Sequence, residues 1–203
     1  RVYNHARLDM GLKDLLEQNV LLRWLGGKGA SHDLALSMTG VRLGERFLVA
    51  GAGDPGLITA LAGKVGYTGR ACAADTEAAV AARAARAAEQ AGVLVEVEHT
   101  PLSQLPFDAG AFDLVVCRPG RGSPVAADPA ALVEFARVLR PGGRCLFLLD
   151  VARRRGDGTA DAGTAAPESA ALIGRLRVAG FRASRELAQR EGLAFVEAIK
   201  AAG

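Results

Sequence analysis

The chain has 203 residues, half of them apolar and only 5% aromatic, enough for one packed domain with a core built mainly from Ala, Leu and Val. Its 25 basic and 22 acidic side chains leave a net charge of +3, too small to imply a nucleic acid or an anionic membrane as partner. No apolar run reaches membrane-spanning length, because polar residues such as Arg23 and Asp54 interrupt every candidate.

An amphipathic helix is expected over Asp9–Leu25, with Leu12, Leu15, Leu16, Asn19 and Leu22 on one face and Gly26-Gly27 as its stop. Ser31 or Asp33 caps a shorter helix carrying Leu34, Leu36 and Met38. Residues 1–42 thus read as a helical cap, and residues 43–203 as the α/β core of a single domain.

The core opens on Phe47-Leu48-Val49-Ala50-Gly51-Ala52-Gly53-Asp54-Pro55-Gly56, an apolar strand (Arg46–Ala50) running into a glycine-rich turn and then a helix from about Leu57 to Lys64. Gly51, Gly53 and Gly56 have the spacing G-x-G-x-x-G, which lets a backbone bend tightly and admits a ligand beside the free N–H groups of the next helix. By itself that turn is common among α/β proteins. A second strand is expected over Arg70–Ala74, closing on Asp75, then an Ala-rich helix over Thr76–Ala91 stopped by Gly92. Strands follow at Val93–Glu98 and Phe112–Arg118. Asp128-Pro129 caps and starts a helix whose apolar face carries Leu132, Phe135, Ala136 and Leu139.

Pro141-Gly142-Gly143 is expected to turn into a fifth strand, Arg144–Leu149. A Gly/Ala/Asp-rich loop at Arg155–Ala166, a helix at Pro167–Ala179 and a hairpin of Phe181–Arg190 and Leu193–Ala201 about Glu191-Gly192 complete the chain. Alternating strands and helices predict a Rossmann-like, seven-stranded, mostly parallel sheet with a terminal antiparallel strand. The three cysteines, Cys72, Cys117 and Cys145, all fall in strands without metal-ligand spacing. They read as core thiols of a cytoplasmic protein, and no metal is expected. The chain opens on Arg1 and not on Met, which leaves a trimmed N-terminal segment open.

Several stretches together resemble the class I S-adenosylmethionine (SAM)-dependent methyltransferases, in particular small-molecule enzymes such as the ubiquinone/menaquinone-biosynthesis C-methyltransferases. They are Leu43 to Gly53, Asp75, Leu105-Pro106-Phe107 through Phe112-Asp113-Leu114-Val115-Val116, and Val138-Leu139-Arg140-Pro141-Gly142-Gly143. The last two are more specific than the glycine turn. The resemblance implies that Gly51, Gly53 and Gly56 lie against the methionine part of SAM and that Asp75 accepts hydrogen bonds from both ribose hydroxyls. It places Thr76 near the adenine face and the Leu102 backbone beside the adenine ring. Asp75 can equally cap the helix that begins at Thr76.

The chain also departs from the pattern. The usual acid two residues before the first glycine is Val49, and the usual adenine-contacting Asp after strand three is Pro101. Asp54 can meet the methionine ammonium in place of the lost acid, or it can simply cap the helix with Pro55 at its first position. Methyl transfer needs mainly alignment and exclusion of water, with a base only where the acceptor loses a proton.

Candidate acceptor-facing residues lie after strand four (Arg118, Arg121, Ser123), after strand five (Asp150, Arg153, Arg154, Arg155) and in the cap (Tyr3, His5, His32). Arg118 and Arg121 can grip a carboxylate or phosphate, or be solvated loop arginines. The loop Arg118-Pro119-Gly120-Arg121 lacks the Asn/Asp-Pro-Pro-aromatic signature of base-modifying relatives, which speaks against a nucleic-acid substrate. Two other functions fit parts of the chain. A nicotinamide-dependent oxidoreductase matches the glycine spacing and Asp75, but Asp54 sets a negative charge where a pyrophosphate would bind. A non-catalytic, partner-binding methyltransferase-like protein would explain Val49 and Pro101.

Overall fold

The computed structural model describes residues 32–119, 124–151 and 165–202. The expected helix Asp9–Leu25, most of the loop Arg155–Ala166, and Tyr3, His5, Arg121, Ser123 and Arg153–Arg155 lie outside these residues. A helix over 32–39 (α1) leads into β1 (Arg46–Ala50), α2 (Pro55–Val65), β2 (Arg70–Asp75), α3 (Ala78–Ala91), β3 (Glu96–His99) and β4 (Phe112–Cys117). After a 3-10 turn at Pro124–Ala127 come α4 (Pro129–Val138), β5 (Leu139–Asp150), α5 (Ala165–Val178), β6 (Phe181–Arg190) and β7 (Leu193–Lys200).

The seven strands form one sheet in the order β3-β2-β1-β4-β5-β7-β6. The first five run parallel, and β7 lies antiparallel between β5 and β6. The expected terminal hairpin therefore inserts its second strand beside β5. Strand alternation feeds two cores. Leu48, Phe112, Val115, Cys117, Cys145 and Phe147 face α4 and α5, whereas Phe47, Val49, Leu114, Val116, Leu146 and Leu148 face the side holding α1 and α2. Strands buried on both faces explain the near-continuous apolar runs in β1, β4 and β5.

The caps follow local chemistry. Asp128 accepts from Ala130 N–H with Pro129 opening α4, and Gly92 ends α3 in the left-handed conformation. Several boundaries move, among them the start of α3, at Ala78 and not Thr76, and β3, at Glu96–His99 and not Val93–Glu98. The 32–39 helix already includes Asp33, so Asp33 does not cap it. Leu139, expected on the apolar face of α4, is instead the first residue of β5 and is buried there. Pro141-Gly142-Gly143 is not a turn ahead of β5 but a bulge within it: the pairing with β4 shifts register between Phe112 and Leu114, and a Cβ on Gly143 would stand 2.9 Å from the Arg140 carbonyl.

The two most specific motif stretches meet at this bulge. Asp113 accepts from Arg140 Nε at 2.6 Å, and its other oxygen accepts from Arg46 N–H at 2.8 Å and Arg46 Nε at 3.2 Å. Burial alone would raise the Asp113 pKa. The bonds from Arg140 and Arg46 outweigh it and hold the carboxyl below its ordinary value. This clamp joins the starts of β1, β4 and β5 at the amino edge of the sheet, away from the glycine turn. Its role is architectural.

Candidate active site

The strand order reverses between β1 and β4, the place where an open α/β sheet leaves a crevice at its carboxyl edge. Ala50 pairs with both Ala74 and Cys117, so the glycine turn, Asp75 and Arg118 emerge side by side from adjacent strands. Backbone bonds fix their relation: Gly51 N–H donates to Ala74 O at 2.9 Å, and Arg118 N–H donates to Ala50 O at 3.2 Å. Gly51 has φ +89°, and a Cβ there would stand 2.7 Å from the Arg118 carbonyl oxygen. Gly53 differs: a Cβ on it would meet nothing within 4 Å. The first glycine is demanded by packing, and the second faces open space.

Asp75 ends β2. One carboxylate oxygen accepts from Ala52 N–H of the glycine turn at 2.7 Å, and the other accepts from Glu77 N–H ahead of α3 at 2.9 Å. The side chain thus ties the turn to β2, but it is not the cap expected of it: α3 begins at Ala78 with Glu77 at its N-cap and no side-chain cap bond. A carboxylate offers about four lone-pair sites, so each oxygen keeps capacity for a further donor. Thr76 is exposed and its carbonyl lies 3.2 Å from His99 Nε2, while the Leu102 side chain is buried in the core below.

Asp54 caps α2, accepting from Leu57 N–H at 3.2 Å, with Pro55 opening the helix. The same carboxylate is bonded to His32 Nε2 at 2.8 Å and to the Arg118 guanidinium. His32 sits directly on Gly56, where a Cβ would be 2.4 Å from His32 Cε1. Three separate segments (α1, the glycine turn and the end of β4) are therefore joined through one side chain. Arg144 of β5 donates to Thr39 O at 2.8 Å and so pins the end of α1 opposite His32. Sequence patterns flagged Asp54, Arg118 and His32 separately; their union was not visible because 64 residues separate Asp54 from Arg118.

A cleft of about 480 Å³ lies elsewhere, lined by Gly66, Tyr67, Gly69, Arg70, Leu94 and Glu96 among others. It opens at the amino ends of β2 and β3 and contains none of the expected site residues. Topology and convergent polar groups make the carboxyl edge the candidate site instead. Among the described residues no group of His, Cys, Asp and Glu is arranged to hold a metal ion, and no helix is long and apolar enough to cross a membrane.

Comparison with known proteins bears on the same crevice. Residues 47–143 match the family described as Methyltransferase domain. The ubiquinone/menaquinone biosynthesis C-methyltransferase UbiE of Chromobacterium violaceum is 32% identical over 118 residues, 58% of this chain and 48% of that protein. UbiE of Nitrosospira multiformis is likewise 32% identical, over 62% of this chain and 52% of its own length. The chain thus spans about half the length of these curated relatives. A SAM-dependent methyltransferase from Aquifex aeolicus shares the fold, with a TM-score of 0.69 at 20% identity over 83% of this chain and 88% of that one. Residues 47–143 thus carry the pattern of the Methyltransferase domain, and the chain is similar to the UbiE C-methyltransferases over about half of their length.

Proposed function

We propose that this chain is a SAM-dependent methyltransferase acting on a small-molecule acceptor, with residues 43–203 as the catalytic unit and residues 1–42 as its helical cap. The observation that carries the proposal is the Asp75 carboxylate, bonded to the glycine turn through Ala52 N–H while keeping acceptor capacity for two vicinal hydroxyls. Gly53 leaves room above the turn for a ligand backbone, which supports the same placement.

When bound, SAM supplies an electrophilic methyl group on a sulfonium, so the protein has to align the acceptor and exclude water. Asp75 holds the ribose, Gly51 and Gly53 shape the surface beneath the amino-acid end, and Thr76 with the Leu102 backbone borders the adenine. Arg121 is the candidate for gripping an anionic group on the acceptor. The names of the UbiE relatives support carbon as the accepting atom, within small-molecule metabolism.

Titration calorimetry with SAM, its demethylated product S-adenosylhomocysteine (SAH) and NAD tests the proposal. Micromolar binding of SAM and SAH, weakened at least tenfold in Asp75→Ala, is expected. A folded protein that binds neither would instead be a non-catalytic, partner-binding relative, and binding of NAD alone would make it an oxidoreductase.

A further inference from the structure

We infer that the Asp54–Arg118 ion pair is a receptor for an amino-acid zwitterion, which splits the pair and takes both partners. The inference rests on the cofactor proposal above and reassigns Arg118, expected from sequence to face the acceptor, to the amino-acid end of the nucleoside.

The pair stands at the strand-order reversal, with Asp54 next to the open Gly53 and Arg118 at the end of β4. Both side chains are reachable, at 19% exposed for Asp54 and 23% for Arg118. An α-amino-acid end carries one carboxylate and one ammonium close together and no net charge. An Asp–Arg pair presents the opposite charges at similar spacing, also with no net charge. Joining them places every charge beside two of the opposite sign, so recognition depends on the placement of charge and not on its sum. Arg118 has five N–H donors in a planar fork, and among the described residues Asp54 is the one acid bonded to it; donors remain for a second carboxylate.

His32 completes the device. It holds one Asp54 oxygen at 2.8 Å and covers Gly56, so an incoming ammonium competes with His32 for that oxygen. The carboxylate usually found two residues before the first glycine is Val49 here, buried in the core facing α2. Asp54 supplies its charge from the other side of the turn.

The experiment compares SAH with its decarboxylated analogue, which keeps the nucleoside, the thioether and the amine. Wild type, Arg118→Gln and Asp54→Asn are titrated by calorimetry; Asn retains helix-capping ability, so the second variant removes charge with little effect on α2. Melting temperatures verify folding. Arg118→Gln should weaken SAH at least tenfold and the decarboxylated analogue less than about threefold, because the two losses remove the same contact and are not additive. Asp54→Asn should weaken both ligands about equally, since both carry the amine.

Equal losses for both ligands in Arg118→Gln, or no loss for SAH, would overturn the inference and leave the cofactor proposal standing. Wild type that binds neither SAH nor SAM would remove the cofactor proposal itself.

Discussion

Replacing Gly51 by Ala separates packing from binding at the glycine turn. Gly51 holds φ +89°, a region that costs an L-residue about 1–2 kcal/mol. The new methyl would also stand 2.7 Å from the Arg118 carbonyl oxygen. That oxygen belongs to backbone fixed by the Arg118 N–H bond to Ala50 O, so it cannot rotate away as a side chain would. Relieving such a contact in a packed region costs about 1–3 kcal/mol. A total near 3 kcal/mol lowers the melting temperature of a domain this size by roughly 6–12 °C. Gly53→Ala is the control, because its Cβ meets nothing within 4 Å; its stability should stay within about 1 kcal/mol of wild type. Calorimetric melts of the three proteins, followed by SAH titration of each, give both quantities. Gly53→Ala should melt like wild type yet bind SAH more weakly, since its methyl enters the ligand's space. Should Gly51→Ala melt with wild type, or Gly53→Ala melt well below it, the division of labour between the two glycines is wrong.

Two further outcomes follow from the titratable groups. The Asp113 carboxyl, held below its ordinary value of 3.8 despite burial by Arg140 and Arg46, contributes stability that is fully present above that value and is lost as pH falls through the lower folded value. The stability difference between wild type and Asp113→Asn in urea titrations should therefore be constant from pH 7 down to about pH 5 and shrink below about pH 4; a difference that grows in acid would refute the clamp. Burial pushes the Cys72 thiol up to about 12, against the opposing Arg70 charge, and raises Cys117 and Cys145 above the ordinary thiol value as well. A thiol-specific dye at pH 8 should label the native protein only at the rate of unfolding and label three thiols in denaturant. One fast stoichiometric thiol in the native state would contradict this.

Much of the fold was legible in local patterns because it rests on local physics. Apolar runs flanked by Gly and Asp marked β1, β2 and β4; Asp128-Pro129 and Gly92 marked helix ends, since capping satisfies backbone groups within a few residues. Pro141-Gly142-Gly143 misled for the opposite reason. Alone it has turn chemistry, yet β4 pairs with Leu139 before it and Arg144 after it and so holds it in the sheet as a bulge. Leu139 shows the same limit, since helical spacing fits it to α4 while pairing with Phe112 draws it into β5.

The candidate site divides along the same line. The amino-acid order determined that a glycine turn would follow the first strand, that Asp75 would end the second and that these lie near one another at a carboxyl edge. Which segments are strands and which are helices follows from periodicity and from glycine and capping signals, which are written along the sequence, whereas the order in which the strands pair is a tertiary outcome. Only the tertiary structure decided which side chains share a charge. It brought His32, Asp54 and Arg118 together from three segments, and it set Asp113 against Arg46 and Arg140 at the far edge. Electrostatic partners are chosen by distance in space, and distance between segments exists only once the sheet has closed over its two cores.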